Sequence, residues 1–238
     1  MVFGAILAGG VGSRMHMADM PKQFLPLGDK PIIIHTIEKF LACNRFEKVY
    51  VGVHADWINY LKDLVGKYIA ASKDNICVVE GGKDRNGTIL NIVAEIEKSY
   101  GESEDNIIVT HDAVRPFVTL RMIEENIDAA EKYKAVDTVA AAIDTIVVSE
   151  DGKTITDIPN RNKMYQGQTP QSFNINLLKR LYASLSDEEK GILTDACKIC
   201  VVRNHPVYLV EGSYTNIKIT TPGDYKIAQA MVGGKILD

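Results

Sequence analysis

The chain has 238 residues, enough for one large domain with a substantial core. Hydrophobic residues make up 46% and charged residues 24%, which argues against a disordered protein. The formal net charge of −4 argues against a protein that binds nucleic acid, because such a protein needs a broad basic surface. Any site for phosphate groups must therefore be a local basic pocket.

The apolar segments of the chain are too short for a membrane span of ~20 residues. The first residues are apolar but lack a basic leader and reach Gly9 and Gly10 too early for a signal peptide, so we interpret them as a strand. We therefore expect a cytoplasmic protein without membrane insertion. The four cysteines are too few for a disulfide scaffold. Cys197 and Cys200 have CxxC spacing without a second pair, which favours small core residues over zinc or redox chemistry.

A glycine-rich loop, LAGGVGSRM at 7–15, follows the strand predicted at 2–8. Its glycines let a ligand approach the backbone amides, which can bind phosphate. Arg14 and Lys22 add a bidentate guanidinium and a point-charge ammonium for a multiply anionic ligand. A Walker A loop lacks its lysine here, and a Rossmann fingerprint ends on Met15 where it needs Gly or Ala. A tight turn between a strand and a helix is the alternative to a binding loop.

Beyond this loop, apolar patterns of strand length alternate with patterns of helical spacing. The predicted elements are strands at 49–53, 76–79 and 106–110, and helices at 31–44, 56–71 and from about 86–88 onward. Their short links predict an α/β fold with a doubly wound, mostly parallel sheet. Ligands bind beyond the carboxyl ends of such strands. The glycine loop, GGKDRNGT at 81–88 and HDAVRP at 111–116 should therefore open on one edge.

The pattern changes after residue 135. Residues 136–149 are mostly apolar and β-branched, a turn signal follows at 150–152, and a second strand is predicted at 154–158. We interpret this as a β-arm at about 136–163 that protrudes from a single domain spanning 1–238. Since apolar arm strands need cover, we expect a homodimer formed through the arm. The remaining predicted elements are helices at 174–184, 187–197 and 225–232, and a strand at 207–210.

Five motif regions, in order, resemble one known family: LAGGVGSRM with PKQF, GGKDRNGT, HDAVRP, QTPQSF and NIKITTPGD. This is the family of cytidylyltransferases that couple CTP to a sugar-alcohol phosphate, and the resemblance covers residues 2–232. It implies that the doubly wound, mostly parallel sheet is a Rossmann-like sheet of nucleotidyltransferase type. RNGT at 85–88, MYQGQTPQ at 164–171 and DTIVVSEDGK at 144–153 most resemble the branch that acts on ribitol 5-phosphate in teichoic acid synthesis. The branch that acts on methylerythritol phosphate in isoprenoid synthesis shares the motifs and remains the alternative.

The resemblance implies that a phosphate oxygen of the polyol phosphate attacks the α-phosphorus of CTP, giving a CDP-polyol and pyrophosphate. The first loop would contact the nucleotide and its triphosphate, and the second loop would read the cytosine and ribose. The implied CTP-binding residues are Leu7, Ala8, Gly9, Gly10, Gly81, Gly82, Arg85, Asn86, Gly87, Thr88 and Asp112.

The resemblance also implies catalytic roles for four cations: Arg14, Lys22, Arg161 and Lys218. Arg14 and Lys22 would stabilise the transition state, whereas the other two would position the polyol phosphate. Further substrate-binding candidates are Arg115, Thr145 and Thr169, although Arg115 could instead pair with Asp112. A nucleotide-binding module without turnover is the alternative from another class, but a pure binder would not need all four cations.

Asp112 is a carboxylate at a strand end that faces the expected triphosphate. Mg²⁺ binds through one or two carboxylates together with phosphates, so the sequence predicts Mg²⁺ at Asp112. A helix or turn cap is the alternative for this residue. We interpret the neighbouring His111 as structural, because the nucleophile is already an anion and needs no base.

Overall fold

The structure is a computed structural model that describes residues 1–10 and 20–234. The strands of these ranges are β1 Val2–Ala8, β2 Pro26–Leu27, β3 Lys30–Pro31, β4 Lys48–Val53, β5 Ile76–Glu80, β6 Ile107–Asp112, β7 Ala135–Ala141, β8 Tyr165–Asn174 and β9 Tyr208–Glu211. The α-helices are α1 Ile32–Leu41, α2 Ile58–Tyr68, α3 Arg85–Tyr100, α4 Leu120–Tyr133, α5 Ile175–Ala183, α6 Asp187–Gly191, α7 Cys197–Val202 and α8 Pro222–Val232. Among the described residues, no helix is both long enough and apolar enough to span a bilayer.

Seven strands form the central sheet, in the order β5-β4-β1-β6-β8-β7-β9. Strands β5, β4, β1 and β6 are parallel neighbours, and β9 pairs in parallel with β7. Strand β8 is antiparallel to both β6 and β7. The predicted mostly parallel sheet is confirmed. Strand β8 was not predicted, because Pro170 in its middle argues against a central strand.

Helices cover both faces of the sheet. On one face, α1, α2 and α4 enclose a core that includes Ile6, Val51 and Val109. On the other face, α3, α5 and α7 enclose a core that includes Phe3 and Ile108. Because side chains alternate along a strand, every second residue of β1 and β6 belongs to each core. The polar residues at the strand ends are therefore held by buried strands with packed helices on either side.

The arm is less regular than the sequence predicts. Strand β7 ends at Ala141, so the strand predicted at 136–149 extends only over its first part. Residues 154–158 form no strand, and one isolated bridge joins Val148 to Asp157. The prediction of two regular arm strands is therefore wrong.

The reason lies in the exposure of the part of the arm that follows β7. The side chains of Ile143 and Ile155 are 59% and 61% exposed, so the arm does not bury its apolar residues against its own chain. A two-stranded hairpin without such packing is marginal. The turn signal at the tip does form, since Asp151 Oδ1 accepts hydrogen bonds from the backbone of Lys153 and Thr154, each at 2.8 Å.

Two further differences concern helices. The helix predicted at 187–197 is interrupted, because Asp195 Oδ1 accepts a hydrogen bond from the Lys198 N–H at 2.9 Å and starts α7 anew. Cys197 and Cys200 are buried in α7, in agreement with a core role. Helix α4 was not predicted, although its buried Met122, Ile123 and Ile127 lie at helical spacing after the capping residue Thr119.

Candidate active site

A cavity of about 750 Å³ opens at the carboxyl ends of β1, β4, β5 and β6. The three segments expected to meet at one edge of the sheet all reach it, as the parallel arrangement requires. The predicted residues that line it are Leu7, Ala8, Gly9, Gly10, Lys22, Gly81, Gly82, Arg85, Thr88, Asp112 and Lys218. Other lining residues were not predicted from the sequence, among them Gln23, His54, Glu80, Lys83 and Asp84.

Thr88 joins the two glycine loops. Its hydroxyl accepts a hydrogen bond from the N–H of Gly82 at 3.0 Å and donates one to the Asp84 carbonyl at 2.9 Å. A Cβ placed on Gly9 would lie 3.3 Å from the same hydroxyl oxygen, so the first loop packs against it. At Gly82 a Cβ would lie 2.4 Å from the carbonyl carbon of Gly87, which leaves no room for a larger residue. The glycines therefore permit this close loop packing.

Helix α3 begins at the edge of the cavity. Asp84 is its N-cap, and its Oδ1 accepts a hydrogen bond from the Gly87 N–H at 2.7 Å. Arg85 is the first helical residue, close to the predicted start. The remaining N–H groups and the helix dipole give this end a partial positive charge, which favours an anionic ligand.

Lys22 and Gln23 lie in one 3₁₀ turn that lines the cavity beside the first loop. Gln23 is buried, and its Nε2 donates hydrogen bonds to the carbonyls of Ala8 at 2.7 Å and Gly10 at 3.2 Å. This amide ties the turn that carries Lys22 to the end of β1. Gln23 belongs to the PKQF motif, and a polar residue beside a predicted binding loop was the signal that could have identified it. Arg14 lies outside the described residues, so its placement stays a prediction.

Asp112 contacts three cationic side chains at the cavity wall. Its carboxylate lies 2.9 Å from Lys218 Nζ, 3.4 Å from Arg115 Nε and 3.5 Å from Arg85 Nε. Burial opposes ionisation, but the charges of Arg85, Lys218 and Arg115 outweigh it and hold the pKa of Asp112 well below its usual range. Asp112 is therefore a carboxylate at neutral pH.

Buried residues hold the backbone of Asp112. The Thr169 hydroxyl accepts a hydrogen bond from the Asp112 N–H at 3.1 Å and contacts His111 Nδ1 at 2.9 Å. His111 Nε2 contacts the Arg115 carbonyl at 3.0 Å. Burial lowers the pKa of His111 to about 4, so the ring is neutral at pH 7. A neutral ring that accepts from Thr169 at Nδ1 and donates to Arg115 at Nε2 satisfies every partner, which agrees with a structural role.

Several predicted residues lie elsewhere. Arg115 and Thr169 are buried beside Asp112 and are not among the described residues that line the cavity. Arg161 and Thr145 are exposed on the arm and do not line the described cavity either, and Arg161 Nη1 donates to the Ile143 carbonyl at 2.8 Å. Other members of the predicted CTP set that do not line it are Asn86 and Gly87.

A family model described as 2-C-methyl-D-erythritol 4-phosphate cytidylyltransferase, IspD, matches residues 2–234. The chain belongs to the IspD family. The expected family resemblance is thereby confirmed, and the chain is a CTP-using cytidylyltransferase. The cavity beyond β1, β4, β5 and β6 is accordingly the candidate active site of a nucleotidyltransferase.

Solved structures of the IspD family share the fold. The 4-diphosphocytidyl-2C-methyl-D-erythritol synthase of Anaerococcus prevotii is 27% identical, with a TM-score of 0.79 over 98% of this chain and 96% of that chain. The 2-C-methyl-D-erythritol 4-phosphate cytidylyltransferase of Thermus thermophilus is 26% identical, with a TM-score of 0.74 over 98% and 100% of the two chains. These matches confirm the Rossmann-like nucleotidyltransferase fold.

Proposed function

We propose that this IspD-family protein transfers CMP from CTP to D-ribitol 5-phosphate, giving CDP-ribitol and pyrophosphate. The choice of acceptor rests on the amino-acid sequences of three segments: RNGT at 85–88, DTIVVSEDGK at 144–153 and MYQGQTPQ at 164–171. These segments resemble the ribitol branch of the cytidylyltransferases. The segment at 144–153 lies on the arm and the segment at 164–171 follows it, and the arm is where the resemblance places Arg161 and Thr145 for the acceptor.

The reaction joins two anions. A phosphate oxygen of the acceptor forms a bond to the α-phosphorus of CTP, and the bond from that phosphorus to the oxygen bridging to the β-phosphorus breaks. Pyrophosphate leaves with the bonding electron pair. Since the nucleophile is already ionised, the protein has to align the reactants and neutralise charge on the phosphate oxygens.

CTP would lie along the two glycine loops. Backbone amides between Leu7 and Gly10 would hold the triphosphate, with Lys22 and Arg14 at its oxygens. The loop at 81–88 would read the cytosine and ribose, where backbone groups can match the edge of the base. In this arrangement Gln23 holds the turn that carries Lys22 next to the first loop, through its two hydrogen bonds to loop carbonyls.

The acceptor phosphate would bind on the Asp112 side of the cavity. Lys218 is the candidate ligand, since its side chain is 42% exposed and its ammonium lies at Asp112. Arg115 and Thr169 would act as positioning residues, because both hold Asp112 from the buried side.

A second subunit would complete the acceptor site. Arg161 and Thr145 lie on an exposed arm whose apolar side chains require cover. We infer that the arm reaches the partner's cavity in a homodimer, so that the partner's Arg161 and Thr145 contact the acceptor bound to this chain.

A Mg²⁺ ion that arrives with the nucleotide would have Asp112 as its protein carboxylate ligand. The described residues contain no group of three potential metal ligands, so the triphosphate would supply most of the oxygens. When bound, Mg²⁺ would neutralise charge on the phosphates. Lys218 lies 2.9 Å from Asp112 Oδ2 and would compete with the metal for this carboxylate.

Methylerythritol phosphate is the second candidate acceptor, because the solved relatives are named for it. Pyrophosphate release with CTP and the 5-phosphate of ribitol, compared with methylerythritol, glycerol and erythritol phosphates, tests the proposal. We expect the highest kcat/KM with ribitol 5-phosphate. A preference for methylerythritol phosphate would establish the second candidate instead.

A further inference from the structure

A group of polar side chains continues from Asp112 across the sheet, on the side away from β1. Gln171 of β8 pairs with Asp137 of β7, and on its other side with Thr110 of β6, two residues before Asp112. Directly paired residues, and residues two apart on a strand, project to the same face. Asp112, Gln171 and Asp137 therefore share the face that α3 and α7 cover.

Gln171 connects two carboxylates in this group. Its Nε2 donates hydrogen bonds to Asp137 Oδ1 at 3.0 Å and to Asp195 Oδ2 at 3.3 Å. Arg85 is close enough for its charge to lower the pKa of Asp137 and to oppose the effect of burial. We call Arg85, Asp137, Gln171 and Asp195 the polar corner.

The polar corner contains unused hydrogen-bonding capacity. Gln171 is only 2% exposed, yet its Oε1 has no hydrogen-bond partner within the described ranges. Nη1 and Nη2 of Arg85 are likewise buried without a partner among the residues the structure describes. Buried polar atoms normally find partners, and leaving them unpaired costs about 1–3 kcal/mol each. The described residues thus leave one acceptor on Gln171 and the donors of Arg85 without hydrogen-bond partners.

The negative charge of Asp137 is also incompletely compensated by its neighbours. Burial raises its pKa to about 6, and the neighbouring Asp195 adds to this effect, although Gln171 and Arg85 oppose it. The pairing of β7 and β8 shifts between Asp137 and Val139. Opposite this irregularity lies exposed Gly167, where a Cβ would be 3.6 Å from Asp137 Oδ2. The absence of a side chain at Gly167 leaves room for a ligand group at this oxygen.

Arg85 connects the polar corner to the active site. Its side chain lines the cavity, and its Nε lies 3.5 Å from Asp112, where the acceptor phosphate is proposed to bind. A hydroxyl group both donates and accepts hydrogen bonds. A chain of hydroxyls could therefore accept from Arg85 and donate to Gln171 Oε1 and Asp137 Oδ2.

We propose that the polar corner binds the hydroxyl groups of the acceptor's polyol chain and that Asp137 is a specificity-determining residue. This inference rests on the proposed function, whose acceptor carries such a chain. A site that pairs with substrate hydroxyls discriminates against analogues that lack them, because its own polar groups are then left unpaired. The polar corner therefore selects for a longer polyhydroxylated chain.

The test compares Asp137→Asn with the wild-type protein under steady-state conditions. Asparagine keeps the shape of the side chain but removes the charge that attracts a hydroxyl donor. We expect the KM for ribitol 5-phosphate to rise about tenfold or more, which corresponds to one lost hydrogen bond to a charged group. The KM for CTP should change less than twofold, and the preference for ribitol 5-phosphate over erythritol 4-phosphate should fall.

Gly167→Ala is a second variant, and it keeps the negative charge of Asp137. The added methyl group would lie at an ordinary contact distance from Asp137, so the fold should tolerate it, but it would occupy the space proposed for a hydroxyl. We expect the same rise in acceptor KM.

Ser172→Ala is the matched control. Ser172 is buried on the same strand as Gln171, but it faces α4, where its hydroxyl donates to Asn126 Oδ1 at 3.1 Å. Both KM values should stay unchanged in this variant.

Failure of the proposed function and failure of this inference would give different results. If the wild-type protein prefers another acceptor, the proposed function is wrong, and the KM ratio for that preferred acceptor decides the role of the polar corner. If the KM of the preferred acceptor is the same in Asp137→Asn, Gly167→Ala and the wild type, the polar corner is an internal charge network and the inference is overturned.

Discussion

The cavity and the arm differ in how their side chains are held. In the cavity, Gln23, Thr88 and Asp112 each make several hydrogen bonds or ion pairs to other residues of their own chain. On the arm, Ile143 and Ile155 are exposed, and Arg161 bonds to a carbonyl of the arm itself. A fixed arrangement of charges can be assembled within one chain, whereas an arm with uncovered apolar residues needs a second surface. We therefore expect the CTP half of the site to belong to one chain and the acceptor half to be shared.

Lys22→Ala gives the largest expected effect within the CTP half. We expect a loss on the order of a hundredfold or more in kcat, similar to removal of one oxyanion donor, because the charge acts on the phosphates in the transition state. The melting temperature should change little. Single-turnover rates and thermal melts check both expectations, with exposed Lys73→Ala as the control. Near-normal kcat with normal melting would remove Lys22 from the mechanism.

Arg14→Lys should also reduce the rate strongly. An ammonium group keeps the positive charge but cannot reproduce the bidentate fork of a guanidinium on a phosphate. The steady-state kcat with saturating CTP and acceptor measures this effect. A wild-type rate would mean that only the charge at this position matters.

Mixing two inactive variants tests whether the acceptor half is shared. In a heterodimer of Arg161→Ala and Lys22→Ala, one cavity would receive both lesions and the other neither. Activity should return towards half of the wild-type value per heterodimer, by counting of sites in a two-fold dimer. Pyrophosphate release after subunit exchange measures this. No recovery, with exchange shown independently, would place Arg161 in the site of its own chain.

Asp112→Asn should raise the Mg²⁺ concentration needed for half-maximal rate, because the amide keeps the size but loses the charge. It should also lower the melting temperature, since three cations lose their shared partner. The pKa of Asp112 is depressed in the folded state, so its stabilising contribution is present at neutral pH and declines as the pH falls below about 4. An unchanged metal titration with reduced stability would assign Asp112 a purely structural role.

The smallest expected effect is on stability: Asp137→Asn, besides its effect on the acceptor KM, should stabilise the fold in a way that depends on pH. The pKa of Asp137 is raised to about 6 by burial, above its ordinary value of about 3.9. The folded protein therefore binds more protons than the unfolded chain between these values, and wild-type stability falls as the pH rises through this window. The variant should melt a few degrees higher at pH 8 and show little gain near pH 4. Equal melting shifts at both pH values would contradict the unfavourable ionisation of Asp137.

The sequence predicts the parallel half of the sheet well, because β1, β4, β5 and β6 are short apolar runs followed by recognisable loops. The convergence of those loops follows from the geometry of parallel sheets alone. Strand β8 was not predictable in the same way, since Pro170 lies inside it and its partners β6 and β7 are distant in sequence. The polar corner depends on that strand. The contact between Asp137 and Gln171 could therefore not be inferred from either residue.

Other features of the site depend on side-chain burial. Arg115 and Thr169 belong to recognisable motifs, but a motif does not indicate whether a side chain faces the ligand or holds a neighbour that does. Gln23 is the opposite case, a residue whose role the sequence did not indicate. Only the structure shows that its side-chain amide bonds to two loop carbonyls. The family resemblance predicted residues of the candidate active site, and burial distinguishes those that line the cavity from those that support them.

The buried position of His111 has a consequence for the pH–rate profile. With a pKa near 4, this ring stays neutral from pH 5 to 8, and the hydrogen bonds that fix Asp112 do not change over that range. Phosphate monoesters have their second pKa near 6. An acid limb between pH 5 and 7 would therefore report ionisation of the acceptor phosphate or of Asp137, and not of the histidine beside the catalytic cavity.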